Sequence, residues 1–214
     1  MSAREAILAR IARARGVAGA AVDADDLIRR HPRGPTAPPD EDLVQWFCSQ
    51  AAHLASDVAR AATLAEVPEQ AARYLRERQL PMQAVCWPGL AALDWRTAGI
   101  AAAARPVRNT DLVGITGACA AIAETGTLML LSGLDTPATV SLLPETHIAV
   151  VEQARIVATM EDAWDRLRAE HSALPRAVTF VSGPSRTADV EQTVTLGAHG
   201  PYRVLILVVE APGR

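Results

Sequence analysis

Three apolar runs rich in β-branched residues constrain the fold of this chain more than any other feature. They occupy residues 148–151, 177–181 and 204–209. A strand with one solvent-exposed face alternates apolar and polar side chains, whereas a strand that is buried on both faces does not. We therefore expect buried strands, and the helical spacing of apolar residues in 161–170 places a helix between the first two. Strands that alternate with helices indicate an α/β fold with a mainly parallel sheet.

Shorter apolar segments extend this pattern toward the start of the chain. We expect strands at residues 64–67, 84–87 and 100–104, and a helix whose apolar positions run from Leu43 to Val58.

A hairpin is expected in the middle of the chain. The apolar runs 120–123 and 127–131 flank a short polar turn that contains Gly126. This pair of strands is predicted as an antiparallel β-hairpin insert in the α/β domain.

The N-terminal region is expected to form a separate helical arm. Ser2 and Glu5 match a capping box, and Ile7, Leu8 and Ile11 follow on one helical face. Four prolines in residues 31–39 then predict an extended connector. We divide the chain into an arm with its connector, residues 1–39, and an α/β domain, residues 40–214. The apolar stripe needs a surface to bury it, on this domain or on a second copy in a homo-oligomer.

Charge and composition exclude several classes of function. The formal net charge is −3, and all 21 basic residues are Arg. Without lysine the chain has no Schiff-base site and no Walker A loop. We expect neither a nucleic-acid partner, since no basic patch is visible, nor a membrane span, since no apolar run is long enough.

The spacing of the cysteines along the sequence matches no known motif for a metal or redox centre. Cys48, Cys86 and Cys119 lie too far apart for a zinc ribbon or an iron–sulfur motif. We therefore predict no metal ligands and no cofactor in this chain. Reduced thiols and the lack of a signal peptide favour a cytoplasmic location.

Glu124 is the first candidate catalytic residue. It lies between two apolar runs, where burial of a carboxylate is costly without partners. It is therefore either a turn residue facing solvent, or a base or nucleophile with a raised pKa. In the second case Thr125, Gly126 and Thr127 would supply hydroxyl and backbone donors to a ligand.

His147 is the second candidate catalytic residue, because it enters an apolar strand and an imidazole can move protons near neutral pH. A structural histidine is the alternative interpretation.

A turn rich in hydrogen-bond donors follows the apolar run 177–181. Strands that enter such turns build anion sites in α/β folds, with hydroxyl groups, backbone N–H groups and a guanidinium as donors. The alternative is an ordinary turn before a short helix. The predicted anion-binding residues of this turn are Ser182, Gly183, Ser185, Arg186 and Thr187.

Four segments together resemble the lactate utilization protein C family of LUD-domain proteins. They are VGITGACAAIAETGTLML (113–130), SLLPETHIAVV (141–151), SGPSRTADVE (182–191) and GAHGP (197–201). The chain departs from this resemblance at Cys119, where a polar or acidic residue is expected. The resemblance implies a fold related to the sugar-phosphate isomerase and CoA-transferase group, an open, mainly parallel α/β sheet with helices on both faces.

The same resemblance implies a part in the oxidation of L-lactate to pyruvate, beside partner proteins that carry iron–sulfur clusters. Two function classes follow. The chain is a non-redox subunit that binds a carboxylate or other anion through Arg186, or it is an acyl/CoA-transferase-like or isomerase-like enzyme that uses Glu124. We prefer the first, because no lysine or basic cluster is available for the phosphates of CoA.

Overall fold

The computed structural model describes residues 2–14, 23–30, 34, 42–187, 195–197 and 199–210. The chain divides into two units, Met1–Thr36 and Ala37–Arg214. The predicted connector at 31–39 lies outside the described residues except for Gly34, so the predicted boundary after residue 39 stays a prediction.

The first unit contains two helices, α1 (Ala3–Ala14) and α2 (Ala24–Arg30). The predicted capping box is present: the Ser2 N–H donates to Oε2 of Glu5 at 2.7 Å, and the Glu5 N–H donates to Oγ of Ser2 at 3.3 Å. Ile7, Leu8 and Ile11 are each about half exposed.

The second unit is an α/β domain whose described residues form four more α-helices and all twelve strands. The helices are α3 (Leu43–His53), α4 (Val67–Glu77), α5 (Thr139–Leu142) and α6 (Met160–Glu170). The strands are β1 (Asp57–Ala61), β2 (Gln83–Cys86), β3 (Ala101–Ala103), β4 (Val113–Gly117), β5 (Ala120–Ile122), β6 (Thr127–Leu131), β7 (Thr146–Glu152), β8 (Ile156–Val157), β9 (Val178–Val181), β10 (Arg186–Thr187), β11 (Thr195–Leu196) and β12 (Arg203–Val209).

Six strands form a wholly parallel main sheet in the order β1-β12-β7-β4-β2-β3. Successive residues of a strand point to opposite faces, and β12 shows what covers each face. Leu205 and Leu207 pack with α4 on one side, whereas Val204 and Ile206 pack with α3 on the other. The predicted open parallel sheet with helices on both faces is confirmed.

The predicted hairpin is also present, but it belongs to a second sheet. β5 and β6 pair antiparallel, and β8 and β9 extend them to the order β8-β5-β6-β9. Helix α6 covers this sheet through Ala163 and Leu167, which pack on Ile122 and Met129. A separate two-stranded ribbon joins β10 and β11.

Four local predictions were wrong. Helix α3 ends at His53, because Ala55 adopts a left-handed φ of 64° that stops the helix, and Val58 lies in β1. Residues 64–67 do not form a strand. Leu64–Glu66 form a 3-10 helix, and Val67 is the first residue of α4.

The other two concern strands. The segment 113–117, for which no strand was expected, is β4, a central strand of the main sheet in which Thr116 is buried. The run 177–181, expected to be covered on both faces, is the edge strand β9, where Phe180 is 37% exposed.

No helix in the described part of the chain is long and apolar enough to cross a membrane.

Candidate functional site

A cleft of about 660 Å³ opens at the carboxyl ends of β2, β4 and β7. In the main sheet, β3 and β4 lie on opposite sides of β2, so the connection between them crosses over β2. Ligands of open α/β sheets bind in the crevice beyond the strand ends at such a switch point. We call this space the sheet-edge cleft; its lining includes Trp87, Ala118, Cys119, Glu152, Arg155 and Glu170.

Arg155 is the guanidinium of the sheet-edge cleft. It ends a short 3-10 helix, Gln153–Arg155, that follows β7. Its Nη1 donates to Oε2 of Glu170 at 2.6 Å and to the carbonyl oxygen of Cys119 at 3.3 Å. Both hydrogen bonds that Arg155 makes within the described residues use Nη1, so its Nε and Nη2 can donate side by side to a ligand carboxylate.

Glu170 is held by two guanidinium groups. Besides Arg155, the Nε of Arg166 donates to its Oε1 at 3.0 Å. Burial opposes ionisation, but the hydrogen bonds from Arg155 and Arg166 outweigh it and hold the pKa of Glu170 below its usual value. The carboxylate is therefore ionised and fixes the orientation of Arg155.

Cys119 lies beside this ion pair at the start of the hairpin. Burial raises the pKa of its thiol, and the negative charge of Glu170 raises it further. The thiol is therefore protonated at neutral pH and is no activated nucleophile. Its sulfur, a carboxylate oxygen of Glu170 and a ring nitrogen of His171 all lie within 4.8 Å of one another.

Glu124 has a structural partner. Its Oε1 accepts a hydrogen bond of 2.8 Å from the backbone N–H of Met160, the first residue of α6. A carboxylate in this position satisfies a free N–H and interacts favourably with the helix dipole. The half-buried side chain thus joins the hairpin to α6, and the predicted catalytic role stays a prediction.

The structure brings two of the predicted binding segments together. The hydroxyl oxygens of Thr127 and Ser182 lie 2.8 Å apart. Gly126 and Gly183 have φ values of 62° and 78°; the first approaches the last turns of α3 at Gln50 and Ala51, and the second approaches Leu54, which caps the end of α3. Thr125 beside them is exposed.

Residues 185–187 of the predicted anion-binding turn use part of their hydrogen-bonding groups in backbone–backbone hydrogen bonds. The Ser185 N–H donates to the carbonyl oxygen of Pro201 at 2.8 Å and is therefore not free to bind an anion. Arg186 and Thr187 form β10, in which Arg186 is exposed and Thr187 half-buried.

His147 lies inside the main sheet with no exposed surface. Its Nε2 is 2.7 Å from Oγ1 of Thr116 in the neighbouring strand, and its Nδ1 has no hydrogen-bond partner within the described residues. Burial lowers its pKa to about 4. The ring is neutral at physiological pH, which suits a structural residue better than the predicted proton shuttle.

Sequence reasoning missed the residues of the sheet-edge cleft. Trp87, Glu152 and Arg155 lie at or just after the predicted strands 84–87 and 148–151, so the rule that ligands bind at strand ends could have found them. Glu170 and His171 gave no such signal, because they reach the cleft from the end of α6.

Comparison with known proteins identifies the family. A "Lactate utilization protein C" from Halalkalibacterium halodurans is 41% identical over 101 residues, which cover 46% of this chain and 44% of that protein. A protein of the same name from Bacillus subtilis is 39% identical over 100 residues, 45% of this chain and 42% of that protein. The matched stretch thus spans less than half the length of these curated relatives.

A solved structure supports the same assignment. The crystal structure of a DUF162-family protein from Deinococcus radiodurans superposes with a TM-score of 0.63 and 25% identity, covering 82% of this chain and 99% of that one. The LUD-domain family model matches residues 47–209, well over half of the chain. The chain therefore belongs to the LUD-domain family.

Proposed function

We propose that this chain is a non-redox subunit of a lactate-utilization system and that it binds a small carboxylate in the sheet-edge cleft. The names of its relatives point to lactate utilization. The observation that carries the proposal is the placement of Arg155 at the switch point of the sheet, with Nε and Nη2 available.

The geometry suits a planar carboxylate. Glu170 and the carbonyl oxygen of Cys119 hold Nη1, so the guanidinium is oriented before the ligand arrives. An oriented group loses less entropy on binding than a free side chain does. A guanidinium also matches a carboxylate with two parallel hydrogen bonds, which a lysine cannot do.

In this proposal, proteins other than this chain carry out the redox chemistry. Oxidation of a 2-hydroxy acid such as L-lactate to pyruvate releases two electrons, and side chains do not accept them. We assign this step to cytoplasmic partner proteins with iron–sulfur clusters, while this chain carries no redox cofactor of its own.

Thermal unfolding of the purified chain with and without lactate or pyruvate tests the carboxylate site. A ligand at a hundred times its Kd stabilises the fold by about 2.7 kcal/mol. We expect this stabilisation in the wild type and its loss in Arg155→Gln, which removes the charge and the bidentate donor pair.

Two further variants make the test specific. Arg168→Gln alters an exposed guanidinium that pairs with Asp165 on α6, and it should respond to lactate like the wild type. Arg186→Gln tests the predicted turn Ser182–Thr187. If Arg186→Gln loses the response and Arg155→Gln keeps it, the anion site lies at that turn and the cleft assignment is wrong.

A further inference from the structure

We propose that Cys119, Glu170 and His171 form a zinc-binding site in the wall of the sheet-edge cleft. This inference does not rest on carboxylate binding by Arg155, since it concerns another ligand, although Glu170 takes part in both arrangements.

The donor set fits zinc. One thiolate sulfur, one carboxylate oxygen and one imidazole nitrogen are ligand types that Zn²⁺ takes at about 2.0–2.3 Å in tetrahedral sites. Ligand atoms of such a site lie roughly 3–4 Å apart, and the three atoms here already lie within 4.8 Å of one another. Rotation of the exposed His171 side chain closes the remaining gap while Glu170 keeps its hydrogen bonds to Arg155 and Arg166.

The backbone around the three ligands is well fixed. The Cys119 N–H donates to the carbonyl oxygen of Met129 at 2.8 Å, which holds residue 119 against β6. Glu170 is the last residue of α6, and the His171 N–H still donates to the carbonyl oxygen of Leu167 at 3.0 Å. A metal ion would therefore join the strand end to the helix end without backbone rearrangement.

The two guanidinium groups on Glu170 do not block the site. Each carboxylate oxygen has two lone pairs, so an oxygen that accepts from Arg155 or Arg166 can still bind a metal. These positive charges oppose a cation, but they also keep Glu170 ionised and favour the thiolate of Cys119. On binding, the thiol proton leaves to solvent and a sulfur–zinc bond forms.

Three protein ligands leave the fourth tetrahedral position open. Structural zinc sites use four protein ligands, whereas sites with three keep a position for water or substrate. All three residues line the sheet-edge cleft, so this position is accessible to a small molecule there.

Titration of the metal-free chain of residues 1–214 with Co²⁺, followed by competition with Zn²⁺, tests the proposal. Cobalt in a zinc site gives visible absorption, and a bound thiolate adds a charge-transfer band in the near ultraviolet. We expect one equivalent of Co²⁺ to produce both signals in the wild type and one equivalent of Zn²⁺ to remove them.

Variants assign the ligands. Cys119→Ala should lose the charge-transfer band. His171→Gln should raise the Kd by more than about a hundredfold, since loss of a residue that only hydrogen-bonds to a ligand already costs about 10–100-fold in metal affinity. Because His171 is exposed, its variant should fold like the wild type, as circular dichroism and thermal melting will show.

Cys48→Ala and His53→Gln serve as controls, because they remove the same donor types outside the cluster. Both should bind Co²⁺ like the wild type. The proposal is overturned if the wild type shows no charge-transfer band, if the band survives in Cys119→Ala, or if His171→Gln binds as tightly as the wild type.

Discussion

At the scale of single residues, His147 couples the stability of the domain to pH. Its pKa is about 4 in the folded chain, because burial disfavours the charged ring, and 6.5 as a free side chain. Below pH 6.5 the unfolded chain binds a proton that the folded chain does not. The free energy of unfolding should therefore fall as the pH drops from about 6.5 to about 4, by about 3 kcal/mol in total.

Urea unfolding at several pH values in this window, on wild type and His147→Gln, measures the effect. The variant should lose this part of the pH dependence, whereas His53→Gln, which removes an exposed histidine, should keep it. Equal pH dependence in all three proteins would mean that His147 does not contribute.

Glu124 shows how much of a single residue's role the sequence can reveal. Its position between two apolar runs leaves a solvent-facing and a partly buried carboxylate both open, and in the structure the side chain is half-buried. Its partner, the N–H of Met160, lies in a helix whose distance from the hairpin is fixed only by tertiary packing. The free-energy cost of burying this carboxylate could therefore be anticipated from the sequence, whereas the hydrogen bond that offsets this cost could not.

At the scale of elements, the hairpin turn depends on the close approach of Gly126 to α3. This residue has a φ of 62°, and a Cβ added to it would lie 2.3 Å from the backbone nitrogen of Ala51. Gly126→Ala should destabilise the domain by about 3 kcal/mol or more, since either the turn or α3 must move. Denaturant unfolding gives the value.

Gly89→Ala is the matched control, because a Cβ there has no neighbour within 4 Å and φ is not positive. Its free energy of unfolding should stay within about 1 kcal/mol of the wild type. Similar values for the two variants would refute the close approach at Gly126.

The elements that were predicted correctly share one property: the side chains that form their apolar pattern are buried in the folded domain. The runs 148–151 and 204–209 became β7 and β12, neighbours in the middle of the main sheet. The segment Leu43–Val58 was extended too far because Leu54 and Val58 happen to keep helical spacing across the end of α3. The left-handed Ala55 that separates them carries no sequence signal, since alanine seldom adopts that conformation.

At the scale of the whole molecule, the exposed stripe of α1 predicts an interaction of the N-terminal unit. A helix of 12 residues is marginal alone in water, and Ile7, Leu8 and Ile11 are each about half exposed. Deletion of residues 1–30 should lower the oligomer size or the thermal stability, as measured by analytical ultracentrifugation and melting.

A variant with Ile7, Leu8 and Ile11 all changed to Ser should act like the deletion. Arg10→Ser on the same helix should resemble the wild type. An unchanged sedimentation profile and melting temperature in the deletion would contradict an interaction through this stripe.

The order of strands in the main sheet also determines when the domain can assemble during translation. β1 is made early and pairs with β12, which lies between β1 and β7 and is made last of the six. Until the ribosome has released residues 203–209, β1 has no strand partner in the main sheet and one edge of β7 stays unpaired. Nascent chains and prematurely terminated products are therefore exposed to strand-edge association, and chaperones have their main opportunity to act in this interval.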